Sequence, residues 1–434
     1  MKKTEIRTIE SRVAGDSYYE IRHHSGLKIL VYPKEGFRST YAVFGTRYGS
    51  IDQTFLRSDE TEPQTVPAGI AHYLDHKLFE SEEGDAFARF AKTGASANAY
   101  TSFDSTCYLF SCTDQLKENL EILLDFVQSP YFTEQTVQKE QGIIGQEIRM
   151  YEDDPQWRVL FNLLGAMYRY HPVKEDIAGS VESIARITPE MLYRCYHTFY
   201  NLHNMVLAVA GRVDVDTVLE VCDRCCRENG EVSVRRIFRE EPAGVQSHYV
   251  EQSLPVALPL FELGFKEEMK PSAQSDMKTE AAMEVLLELL TSDASPLFRR
   301  LLDEGLINES SFSGERFEGS GFASVLFSGE STDPRRTAAE ILEEVEKLRR
   351  DGIAPEDFRR AKKAVYGRNI SGLNSAEGIA NGLVAMALSG RELFAYMDEL
   401  SALTPEDVTQ CLQRCMNKNQ EVLSVIWPMG PSQA

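Results

Sequence analysis

Apolar residues recur along this chain with two periods, and the switches between them mark its elements. Leu116, Leu120, Leu123, Leu124 and Val127 keep the i, i+4, i+7, i+8 stripe of an amphipathic helix, with Thr113 or Asp114 available as its cap. Thr133 can cap a further helix through Val137, Ile144 and Ile148. Between such segments the pattern shortens to that of strands. Leu27 to Val31 and Thr40 to Tyr48 read as a pair, and Ala97 to Phe103 leads into Thr106 to Cys112 across a short turn at Asp104 and Ser105. The class predicted is α+β, with antiparallel-rich sheets covered by helices on a face.

The pattern also repeats. Thr188, Pro189 and Glu190 open a helical stretch that leads to the apolar run Met205 to Ala210, closed by Gly211, and Thr404, Pro405 and Glu406 do the same before Val422 to Trp427. At a constant offset of about 216, Cys195 falls on Cys411, Val206 on Val422, Leu207 on Leu423 and Val209 on Val425. The spacing predicts two similar domains: residues 1–226, a linker over 227–246 that mixes both charge signs with Pro242 and Gly244, and residues 247–434.

Charge narrows the partners. The 434 residues carry 46 basic and 67 acidic side chains, a net −21, which argues against a surface built for nucleic-acid phosphates or anionic lipid. No apolar run reaches the length of a membrane span, and Met1 to Glu10 lacks the apolar region of a signal peptide. Eight scattered cysteines fit reduced thiols in the cytoplasm.

Candidate chemistry concentrates after Pro67, Ala68 and Gly69. These residues introduce a helical stretch, Ile70 to Glu80, in which His72 and His76 stand four apart on one face, able to hold one ion through both rings. Asp75 precedes the second histidine, an order that inverts the His-Glu-x-x-His zinc helix and still sets an acid beside a metal-bound water. A solvated or core histidine pair is the competing reading. A catalytic zinc also wants a third protein ligand, and Glu140 and Glu147, seven apart on the helix after Thr133, can face inward together or form a surface acid pair.

Gly69 to Phe79, Gly94 to Thr101, Glu140 to Glu147 and the run from His171 through Gly179 to Gly211 resemble the insulinase, pitrilysin and mitochondrial processing peptidase family of zinc metallopeptidases. The resemblance implies the LuxS and mitochondrial-processing-peptidase-like metallohydrolase fold, two similar α+β domains, and Zn2+ held by His72, His76 and Glu147. It makes Asp75 the general base, Glu140 the carboxylate that orients the site, and Asn98 and Ala99 the edge strand to which an extended peptide adds.

The chain departs from the family's pattern twice. Asp75 replaces a glutamate, withdrawing the carboxylate by one methylene. In the second half, Leu301 and Asn308 stand where the family's arginine and tyrosine hold the substrate carbonyl, with Gly305 and Leu306 matching its Gly-Leu and Arg299 and Arg300 out of register. The implied function is a zinc-dependent endopeptidase subunit completed by a partner: a family member supplying the arginine and tyrosine in a heterodimer, or a second copy in a homodimer. The alternatives are an inactive peptidase-fold scaffold and a maturation accessory protein. Cys222, Cys225 and Cys226 read as half-buried or buried thiols, the charged stretch Glu340 to Arg350 as a solvated helix face, and His23 with His24, His171, His197 and His203 have no acid at ligand spacing.

Overall fold

A computed structural model describes residues 3–430 apart from Glu83 and Asn229. Its main strands are β1 (Glu5–Ser11), β2 (Asp16–Arg22), β3 (Lys28–Pro33), β4 (Thr40–Thr46), β5 (Ser96–Thr101), β6 (Thr106–Cys112), β7 (Met205–Gly211), β8 (Tyr249–Leu254), β9 (Leu260–Lys266), β10 (Ser313–Gly319), β11 (Phe322–Glu330) and β12 (Glu421–Pro428). The helices that matter below are α1 (Ile70–Leu78), α2 (Leu116–Val127), α3 (Glu134–Asp153), α4 (Pro155–Met167), α5 (Pro189–Phe199), α6 (Val215–Cys225), α7 (Ala376–Leu388) and α8 (Pro405–Cys415).

The described residues form two compact units. The first holds a seven-stranded sheet in the order β1-β2-β3-β7-β4-β6-β5, the second a five-stranded sheet in the order β8-β12-β9-β11-β10. The last five positions of the larger sheet repeat the whole of the smaller one. In each, one strand arrives from far along the chain, runs parallel to its neighbour on one side (β7 to β3, β12 to β8) and antiparallel on the other. The 216-residue offset therefore marks a structural repeat: Val206 pairs with Gly45 on β4, and Val422 with Gly264 on β9. The repeated helices begin alike, with the Thr188 and Thr404 hydroxyls capping α5 and α8 ahead of a proline in the first turn.

The two glycines explain each other. A Cβ on Gly45 would come within 2.9 Å of Val384 and 3.0 Å of Leu388 on α7, and one on Gly264 within 2.2 Å of Met167 and 2.9 Å of Leu163 on α4. Each sheet thus takes a helix into direct contact with its central backbone. In the first unit α7 packs Ile379, Ala380, Leu383 and Val384 against Leu30, Val43 and Ala208; in the second, Val159 of α4 packs with Leu254 and Ile426.

Those helices come from unexpected parts of the sequence. The first unit comprises residues 1–146, 176–237 and 369–397, and the second 147–175, 238–368 and 398–434. One change of unit, after Ile237, falls inside the 227–246 stretch, while the segments carrying α4 and α7 each join the unit built mainly by the other half. Part of that stretch is itself a strand: Val234–Arg236 pairs with Thr54–Arg57, which in turn pairs with Gln64–Thr65.

Two local expectations change. Leu27 to Val31 and Thr40 to Tyr48 supply strands β3 and β4, but these are not neighbours, because the more apolar, wholly buried β7 inserts between them. Helix α2 is preceded by Gln115, which takes a left-handed conformation (φ 54°) without a side-chain cap, while the Asp114 side chain accepts the Gln115 N–H. Neither Thr113 nor Asp114 caps it. The Ser96–Thr101 and Thr106–Cys112 hairpin forms as expected.

One buried acid gives the second unit a pH signature. Glu262 on β9 is buried, its Oε2 lacks a hydrogen bond, and burial together with the charge of Glu315 pushes its pKa up to about 8. The fold holds a proton there that the unfolded chain releases near 4.5, so stability falls as pH rises between these two values. Glu262→Gln should flatten that slope by up to ~1.4 kcal/mol per pH unit. Urea midpoints at pH 5 and pH 8 check this: the wild type should lose more between them than the variant.

Candidate functional site

The site is built on α1, whose position is fixed by its first residue. Gly69 precedes the helix at φ 87°, and a Cβ there would lie 2.3 Å from the Ala178 carbonyl oxygen. Only glycine fits a left-handed turn pressed so closely on another backbone. The same loop returns the grip, as the Ser183 hydroxyl donates to the Ala68 carbonyl at 2.8 Å. From the far side Tyr73 reaches α3, its hydroxyl donating to the Val137 carbonyl. Burial raises the Tyr73 pKa, with a further push from the charge of Glu140, so the phenol stays a donor.

Thus anchored, α1 presents His72 and His76 side by side, rings 4.5 Å apart and tilted by 60°. His72 is buried and His76 half-buried. The α3 helix runs past them as one continuous element. Glu140, also buried, places Oε1 3.1 Å from Nδ1 of His76. Two turns further on, Glu147 brings a carboxylate oxygen to the pair: one ligand atom from each of His72, His76 and Glu147 lies within 4.8 Å of the others. Glu147 is held in turn by the Tyr151 hydroxyl, which donates to its Oε1 at 2.7 Å, and Tyr151 stacks on Trp157 with ring centroids 4.7 Å apart.

Asp75 lies between the histidines on the same helix, buried to 5% exposure. The Thr101 hydroxyl donates to its Oδ2 at 2.9 Å. Thr101 ends β5, the outermost strand of the first sheet, so one side chain links the acid to that edge. Asn98 is exposed on β5 and Ala99 half-buried, with the Ala99 N–H donating to Asn98 Oδ1 at 2.9 Å. On one side β5 pairs with β6; its other side is the limit of the sheet. Cys107, opposite Tyr100 on β6, is no rival nucleophile: burial pushes its pKa up to about 12, with the charge of Asp75 adding to the effect.

In the second unit, Leu301 is fully buried in the helix Pro296–Asp303, Gly305 ends that helix at φ 66°, and Asn308 hydrogen-bonds Glu330. The nearby arginines are committed within the unit: Arg299 donates to the Asp293 carbonyl, and Arg300 pairs with Glu340 at 2.9 Å and Glu344 at 3.1 Å. That last pair also buries Glu344 in a helix read as solvated from sequence. Cys222 is buried and Cys225 and Cys226 are half-buried, all free thiols. Thr101, Tyr151 and Tyr73 went unnoticed in the sequence, since the contacts that make them matter bridge 26, 4 and 64 positions and only the middle one has a helical spacing.

Known proteins resemble this chain in sequence and in fold. A family model described as insulinase (peptidase family M16) matches residues 61–181, and one described as peptidase M16 inactive domain matches residues 186–365. The uncharacterized zinc protease YmfH of Bacillus subtilis (strain 168) is 41% identical over 94% of this chain and 96% of its own. A putative M16-like peptidase from Alicyclobacillus acidocaldarius, solved by crystallography, superposes with a TM-score of 0.90 at 35% identity over 99% of each chain. A protease from Helicobacter pylori shares the fold at a TM-score of 0.81 and 20% identity, over 98% of this chain and 100% of its own. Among the described residues, no helix is long and apolar enough to cross a membrane.

Proposed function

The chain belongs to the insulinase family of peptidases, M16, and on that premise we propose that it is a zinc-dependent endopeptidase subunit that cleaves extended peptides with a complementary partner. The observation that carries this reading is the convergence of His72, His76 and Glu147 beside the buried Asp75. Two imidazoles and a carboxylate are a three-ligand set suited to Zn2+ with a position left open. These three residues would hold the ion, which when bound supplies a Lewis acid for the peptide carbonyl and lowers the pKa of water.

The chain's own residues do the rest. Glu140 Oε1 accepts a hydrogen bond from the Nδ1–H of His76, which fixes the tautomer and leaves Nε2 as the donor atom. Asp75, oriented by Thr101, takes the proton of the attacking water and returns it to the departing amine. The peptide adds to β5 at Asn98 and Ala99 through backbone hydrogen bonds, so selection falls on extended conformation more than on side chains. Glu140→Gln should lower zinc affinity roughly 10–100-fold, read by competition with a chromogenic chelator.

The partner follows from Leu301 and Asn308, which offer no guanidinium or phenol for the substrate carbonyl. We assign that role to a family member carrying the arginine and tyrosine. The eight free thiols support a cytoplasmic setting. A scaffold that binds without cutting is the second reading, favoured by Asp75, Leu301 and Asn308 together. The test is to purify the chain alone and with such a partner, then assay a mixed peptide library. Cleavage should require both chains; cleavage by this chain alone removes the partner, and stoichiometric zinc without cleavage in either preparation favours the scaffold.

A further inference from the structure

A second histidine pair lies in the turn after β2. His23 is buried and His24 about a quarter exposed, and both face α6 across 200 residues of sequence. Nε2 of His23 lies 2.9 Å, and Nε2 of His24 3.1 Å, from the same atom, Oδ1 of Asp223. The rings are 4.1 Å apart. Their other nitrogens are also held: Nδ1 of His23 is 2.8 Å from the Ser25 hydroxyl, and Nδ1 of His24 is 3.0 Å from Oε1 of Glu228.

A plain hydrogen-bonded latch accounts for part of this. It requires both rings to direct an N–H at one oxygen, and it requires His24, which faces a carboxylate at each nitrogen, to carry two N–H groups. A cation in the same place takes both Nε2 atoms and the Asp223 oxygen, and leaves His24 one N–H, for Glu228. That division is the usual one for a metal-bound histidine, whose second nitrogen is oriented by a carboxylate or other acceptor. The ligand atoms of His23, His24 and Asp223 lie within 4.8 Å of one another. Four donors ~2.0–2.2 Å from a tetrahedral ion stand ~3.3–3.6 Å apart, so the 2.9 and 3.1 Å edges need open by about half an ångström or less.

We propose that His23, His24 and Asp223 form a second metal site, for a divalent ion of the Zn2+ class, with Ser25 and Glu228 orienting the two rings. The Asp223 side chain is 58% exposed, so the ion enters from solvent and water completes its coordination. The site ties the β2–β3 turn to the end of α6, where the chain enters the 227–246 stretch. It does not depend on the peptidase reading, for it shares no residue with the α1 site.

Zinc counted per full-length chain, after loading with Zn2+ and removal of free ion, tests it. Wild type should hold two, His72→Ala one, Asp223→Asn one, and the double variant none; His24→Gln should match Asp223→Asn. Zn2+ should raise the melting temperature of His72→Ala but not of the double variant. A His72→Ala chain without zinc, or a double variant that keeps as much as His72→Ala, overturns the second site. If wild type holds a single zinc that Asp223→Asn removes and His72→Ala does not, the second site stands and the peptidase reading fails.

Discussion

Replacing His72 by alanine should remove zinc from the α1 site and end peptide cleavage in the same step. Two donors would remain, His76 and Glu147, carried on different helices and unable alone to hold an ion against a competitor. Loss of an outer partner such as Glu140 costs roughly 10–100-fold in affinity, and loss of a direct ligand costs more. The fold should survive, because α1 is held by Gly69, Ser183 and Tyr73 rather than by the imidazole, and alanine favours helix. Zinc content should be measured in an Asp223→Asn background, so that one site is counted, and cleavage in the presence of the partner. Unchanged zinc would dissociate His72 from the metal; lost zinc with undiminished cleavage would dissociate the metal from the chemistry.

Restoring the missing methylene should have the opposite effect. Asp75→Glu should leave zinc in place and raise kcat by up to ~10²-fold, the cost associated with a misplacement of about 1 Å in a reacting group. Asp75→Asn should keep zinc and lose cleavage, since an amide cannot accept the water's proton. Thr101 makes the first variant a sharp test. Its hydroxyl pins Oδ2 of Asp75 at 2.9 Å, so a longer side chain must either push past it or keep the contact and displace its carboxylate. Should Asp75→Glu slow turnover, the site is fitted to aspartate as it stands and the truncated-base interpretation fails. Single-turnover rates with the partner in excess separate this from weaker assembly.

Much of the fold was legible because its strongest signals are local. Stripes at helical spacing gave α2 and α3, and the hairpin β5–β6 follows from two apolar runs across a short polar turn. The repeat was visible where strand and helix are most buried, in α5–β7 and α8–β12. Partner choice between elements was less visible. An amphipathic stripe says that α4 or α7 buries one face, not which sheet receives it, and nothing around β3 or β4 announces that β7 will come between them.

The candidate site divides the same way. His72 and His76 are neighbours by helical geometry, and Glu140 and Glu147 share a face by the heptad, so the four could be named as a group from spacing together with the family resemblance. Thr101 and Tyr151 could not, because a hydroxyl's importance depends on the acid it meets. Asp223 was invisible for a plainer reason: it lies 199 and 200 positions from the histidines it contacts, and only the packing of α6 near the β2–β3 turn brings it there.

The most direct measurement of the central proposal is anomalous scattering at the zinc edge from crystals of the full chain grown with Zn2+. A peak bonded to His72, His76 and Glu147 at ~2.0–2.2 Å from each is the expected result. A crystal in which Glu147 turns away from the two imidazoles and no zinc lies among the three would contradict it.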